Sequence, residues 1–172
     1  MSPRPGTLFS FPNPVNEKAA RTVAAGVVVM AVAAVAFDLP WLVVPLAAGF
    51  YARVLTGPTL SPLGQLATRV IAPHLLGAAR PVPGPPKRFA QGIGAVLTSA
   101  ALVVWATEGW DPARWLIGLL AAAAFSEAAF GFCLGCTVFG RLMRIGLIPE
   151  SICEECADIG RRHPTLVRAG PG

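Results

Sequence analysis

Two cysteine pairs, Cys133-Leu134-Gly135-Cys136 and Cys153-Glu154-Glu155-Cys156, hold all four cysteines of this 172-residue chain. A pair of thiols at this spacing can close to a disulfide, pass on sulfur, or grip a metal with little help from other side chains. The sixteen residues between the pairs also fit a four-cysteine zinc site. One reading is thiol redox or sulfur transfer without a cofactor: Cys153 attacks, Cys156 resolves, and Cys133 with Cys136 forms a second pair. The other is a non-catalytic scaffold in which Cys133, Cys136, Cys153 and Cys156 hold zinc. A third treats some of these cysteines as small residues that let helices pack closely.

Local sequence favours Cys153 as the nucleophile. Ser151-Ile152-Cys153-Glu154 matches a capping box, which would put Cys153 in the first turn of a helix, at its positive end. Glu154, Glu155 and Asp158 oppose a thiolate there, whereas Arg161, Arg162 and His163 support one. Cys133 and Cys136 are expected near the C-terminal end of an apolar helix among Phe130, Phe132 and Phe139. Both the dipole and burial would then make them sluggish, acceptors rather than initiators.

The elements that position these thiols read as membrane helices. The chain is 54% hydrophobic and 13% charged, against about 25% charged in a soluble domain. Its net charge of +5 is scattered among apolar runs and makes no basic stripe with interleaved aromatics, so a nucleic-acid partner is not expected. No secretory leader is expected, because the first apolar run begins after Arg21 behind a proline-rich polar start. Apolar runs cover Thr22–Phe37, Leu39–Ala52, Phe89–Thr107 and Trp115–Gly140, the last interrupted by Glu127. A span needs about 20 residues. The first two runs reach that length only if Arg21 and Arg53 snorkel outward.

The expected fold is therefore all-α: an integral membrane four-helix bundle with a cytosolic cysteine-containing tail. Between the second and third runs lie seven prolines and a short interfacial helix carrying Leu63, Leu66, Val70 and Ile71, ended by Pro73. Residues 1–21 form a cytosolic segment, 22–140 the four-span membrane domain and 141–172 the tail. The stretch from Arg53 to Arg88 has five basic residues and no acid, which marks the cytoplasmic side. Both termini then lie in the cytoplasm of a bacterial inner membrane, with Trp41, Trp105, Trp110 and Trp115 as the outer aromatic belt. All four thiols would face a reducing compartment, where a permanent structural disulfide is not expected.

Glu127 is a carboxylate inside a span, where an ionised side chain needs a partner. Arg53 lies twelve residues beyond Trp41, and Glu127 twelve beyond Trp115, so equal depth on co-directional helices predicts that they pair. Gly92 and Gly94 are expected to permit close helix contact. His74 and His163 stand alone.

Four stretches carry a family resemblance: Phe11-Pro12-Asn13-Pro14-Val15-Asn16; Gly57-Pro58 with Ser61-Pro62-Leu63-Gly64; Pro86-Lys87-Arg88-Phe89-Ala90; and Phe132-Cys133-Leu134-Gly135-Cys136. Through them the chain resembles the bacterial membrane proteins grouped as domain of unknown function 4395. The resemblance implies no established activity and no catalytic residue. It implies, by association, a soluble thioredoxin-like or rhodanese-like sulfurtransferase partner.

Overall fold

The computed structural model describes residues 14–75 and 77–148. Seven α-helices follow one another: α1 (Glu17–Ala36), α2 (Val43–Thr56), α3 (Pro62–Gln65), α4 (Ala72–Leu75), α5 (Gly84–Glu108), α6 (Trp110–Phe130) and α7 (Leu134–Arg144). A 3-10 turn, Pro40–Leu42, leads into α2, and a π-helical stretch, Leu66–Ile71, joins α3 to α4. Two short strands, β1 (Val15–Asn16) and β2 (Pro81–Val82), pair antiparallel, with Val15 opposite Val82.

The fold is all-α, as expected. Helices α1, α5 and α6 are long and apolar enough to cross a membrane, while the Pro40–Thr56 helix is shorter. Their outer faces carry Val29, Val96, Val103, Leu119 and Phe125 in the open. Apolar patches on this scale suit lipid better than water. The interior is built from small and medium residues: Val27, Ala31 and Ala34 of α1, Val43, Leu46 and Phe50 of α2, Ala95 and Ala101 of α5, Ile117 and Leu120 of α6. α1 packs chiefly on α6, and α5 on both α2 and α6. Gly94 makes one of these approaches possible. A Cβ there would come within 2.2 Å of the Phe50 ring. Gly92 meets nothing within 4 Å, so it does not share that role.

The turns sort to two ends. At one end, Trp110 Nε1 donates to Asp38 Oδ1 at 3.1 Å, tying the α1–α2 turn to the α5–α6 turn. At the other lie the β1–β2 pair and α7. Asn16 fixes that end twice, its side-chain oxygen accepting from Lys18 N at 3.1 Å, as the N-cap of α1, and from Arg80 N at 3.3 Å.

Two expectations are corrected. The segment after α2 does not end at Pro73, because helix continues through it to Leu75. Pro73 has no N–H to offer, and the π-helical stretch before it, closed by Ala72 N–H on Ala67 O, relaxes the ladder where proline enters. The fourth apolar run is not one helix to Gly140. α6 stops at Phe130 on Gly131, whose φ of 68° is left-handed, and the chain restarts as α7 after Cys133. Glycine adopts that conformation without the Cβ penalty.

Candidate functional site

The break at Gly131 builds the site. Arg21 of α1 caps the end of α6 by donating to Ala128 O (3.2 and 3.0 Å) and Ala129 O (2.8 Å). Phe132 N–H bonds back to Ser126 O at 3.2 Å. Cys133 then becomes the N-cap of α7 in an extended conformation, and its sulfur accepts the Cys136 backbone N–H at 3.4 Å. The sequence reading placed this pair at the C-terminal end of a helix. The opposite holds: Cys133 is at the positive end of α7, where a thiolate is favoured.

α7 is seated on α5 by close contact. A Cβ on Gly135 would fall 2.5 Å from Ala90 Cβ and 2.6 Å from its Cα. Phe139 and Phe89 meet with ring centroids 5.5 Å apart. Cys133 is buried and Cys136 half-buried, both as free thiols. They border a pocket of about 470 Å³ whose wall includes Glu17, Val82, Lys87, Phe132 and Met143.

Lys87 is the residue the sequence reading missed. Its Nζ meets Glu127 Oε1 in an ion pair, with side chains 10% and 13% exposed. This corrects the predicted Arg53–Glu127 pair. Arg53 is on another face, donating to Gln91 Oε1 at 2.7 Å and to Ser61 Oγ at 3.1 Å. Nor does Arg53 snorkel outward: its guanidinium lies over the Phe50 ring, 4.6 Å from the centroid. The depth argument failed because α5 begins at Gly84, five residues before the apolar run, which carries Lys87 into the bundle.

The two thiols are polarised against each other. A hydrogen bond from the Cys136 thiol pulls the Cys133 thiol below its ordinary value; Lys87 and the Cys136 N–H assist, against burial and the Glu127 carboxylate. Cys136 is pushed up, first by giving its hydrogen to Cys133, then by burial and by the charges of Cys133 and Glu127. The two sulfurs are thus shifted in opposite directions, Cys133 toward the thiolate and Cys136 toward the thiol.

Cys153, Cys156 and Ser151 lie outside the described residues. Among the described residues no group of three or more His, Cys, Asp or Glu gathers as a metal site would. The stretches behind the family resemblance that fall among the described residues divide between the dithiol helix and its α5 neighbour on one side and the surroundings of Asn16 and Arg53 on the other. Asn16 caps α1, Ser61 caps α3 and receives Arg53, and Gly64 packs on Pro58. Lys87, Phe89 and Ala90 touch Glu127, Phe139 and Gly135 in turn.

No curated protein and no solved structure matches this chain. The family model described as Domain of unknown function (DUF4395) matches residues 15–144, a stretch that takes in Cys133 and Cys136 and stops short of Cys153, and the chain belongs to that family.

Proposed function

We propose that this is an integral membrane thiol protein that exchanges electrons or sulfane sulfur with a soluble thioredoxin-like or rhodanese-like partner, through Cys133 and Cys136. The observation that carries the reading is the N-cap position of Cys133, with Cys136 one turn along donating its backbone N–H to the Cys133 sulfur. Cys133, rather than Cys153, is the attacking sulfur. Its thiolate attacks one sulfur of a partner disulfide, forming a mixed disulfide and releasing the other partner sulfur as a thiolate. Cys136 then attacks Cys133 Sγ as its proton passes to the departing partner thiolate. A Cys133–Cys136 disulfide remains, and two electrons have moved to the partner. With a partner persulfide, Cys133 takes the outer sulfur and the partner leaves as a thiolate. Cys153 and Cys156 are a second dithiol in the tail.

Charge supports one side of the membrane for the thiol end. The thiol end carries Arg21, Arg53, Arg80, Lys87, Arg88, Arg141 and Arg144, and the opposite turns carry Asp38, Glu108, Asp111 and Arg114. That asymmetry supports a cytoplasmic thiol end in the bacterial inner membrane. The test is a trap. With Cys136→Ser, Cys133 should accumulate a mixed disulfide with a thioredoxin-like or rhodanese-like protein, and Cys133→Ser should abolish it. Stoichiometric zinc with all four thiols shielded from alkylation would replace this reading with the zinc-held scaffold. Free alkylation without a trapped partner would leave the cysteines as packing residues.

A further inference from the structure

Arg53 carries a charge that nothing in the described residues balances. It is 5% exposed, and its guanidinium bends back along α2, with Nη1 3.1 Å from where a Gly49 Cβ would stand. Its partners are the Gln91 amide, the Ser61 hydroxyl and the Phe50 ring, all neutral. Among the described residues no carboxylate lies within ion-pair distance of it. The hydrogen bonds from Nε and Nη1 go to neutral groups and leave the charge, and a charge in so apolar a bundle calls for an opposite one.

Against Arg53 lies a cavity of about 60 Å³, its wall largely apolar, from Ala19, Val23 and Pro58 among others, with Thr68, Lys87 and Gln91 as its other polar residues. A water needs roughly 10–15 Å³ on this measure, so there is room for a few waters or one small ion with a water. Lys87 is already matched by Glu127, so the wall keeps one net positive charge. Gln91 spends its oxygen on Arg53, leaving its amide hydrogens to donate. Thr68 gives its hydrogen to Gly64 O and adds no charge.

We infer that this cavity binds one small monovalent inorganic anion, of the size of chloride or hydrosulfide, with Arg53 as its counter-charge. The site is independent of the thiol reading, since the two pockets share only Lys87 on their walls. A divalent or bulky anion fits neither the single charge nor the volume.

The test uses the purified full chain in lipid nanodiscs. Tm is read in sodium gluconate and with chloride, bromide or, anaerobically, hydrosulfide replacing gluconate at constant ionic strength. A saturable rise of about 3 °C is expected at ten times Kd, absent with sulfate and absent in Arg53→Gln. A response to halides alone assigns a halide site, and a response to hydrosulfide alone assigns a reduced-sulfur site. Equal Tm in chloride, hydrosulfide and gluconate, or the same rise in Arg53→Gln, would overturn the inference. Should Arg53→Gln fail to fold, crystals of the unaltered protein grown in bromide and soaked with hydrosulfide in a parallel set decide: no anion density beside the guanidinium in either rejects the site.

Discussion

The backbone N–H of Cys136 points at the sulfur of Cys133 from 3.4 Å, across the first turn of α7. The two thiols are therefore unequal partners: the hydrogen bond between them lowers the Cys133 thiol and raises that of Cys136. At pH 7, Cys133 should be alkylated at least about tenfold faster than Cys136, and its rate should titrate below the ordinary thiol value of about 8.5. Cys136→Ala removes the thiol donor and should move that midpoint up. The stability linked to Cys133 should be present above its unfolded value and fade as pH falls through the lowered folded one; that linked to Cys136 should be intact below its unfolded value and fade as pH rises above it. Rates measured by mass spectrometry that are equal for the two residues would contradict the assignment.

Breaking the Lys87–Glu127 pair from either side strands a buried charge. Lys87→Met or Glu127→Leu alone should cost about 3 kcal/mol, and the double variant Lys87→Met/Glu127→Leu should recover most of it. Unfolding of the purified protein by a graded denaturant gives the comparison. Additive losses would mean that the two residues do not act as a pair.

Gly131 separates α6 from α7, so its conformation decides where Cys133 sits. Gly131→Ala places a Cβ at φ 68° and 3.2 Å from Glu17 Oε1, at a cost of about 1–2 kcal/mol. The strain is relieved if α6 runs on through Cys133, which removes the helix start from that sulfur. Alkylation of Cys133 at pH 7 should slow together with the fall in Tm. A loss of Tm with unchanged Cys133 reactivity would separate the turn from the thiol.

The thiol end is expected on the cytoplasmic side. Reporter fusions after Leu39 and after Trp110 should behave as external, and a fusion after Arg80 as internal. An external signal from the Arg80 fusion would place the dithiol in an oxidising compartment and recast its chemistry.

Hydropathy located α1, α5 and α6 because long uncharged runs have few other uses. It did not reveal the break at Gly131, since Gly-Phe-Cys-Leu-Gly is as apolar as the helix around it. The available signal was amphipathy: residues 134–144 set Gly135, Phe139 and Leu142 on a face apart from Arg141 and Arg144, a pattern of a surface helix rather than of a span. Lys87 was read as one of five topology charges. Only the antiparallel packing of α5 on α6 reveals that it faces Glu127, and spacing along one chain carries no such information. Equal depth counted from tryptophans took the second and fourth runs as neighbours, whereas α6 packs chiefly on α1 and α5 and Arg53 folds back over Gly49. Cys133 and Cys136 were legible as a site from residue type alone, but their order of reactivity was not.

Lys87 and Glu127 are 40 residues apart in the chain, and synthesis proceeds from the first to the second. During that interval a growing chain carries an ammonium group with no counterpart. Near the start of α5 that group can snorkel to the interface while it is unmatched, and it is drawn inward only when α6 brings the Glu127 carboxylate. The dithiol follows α6 in the chain, so its pocket, walled by Lys87 on one helix and Met143 on another, is complete only once α5, α6 and α7 are all in place.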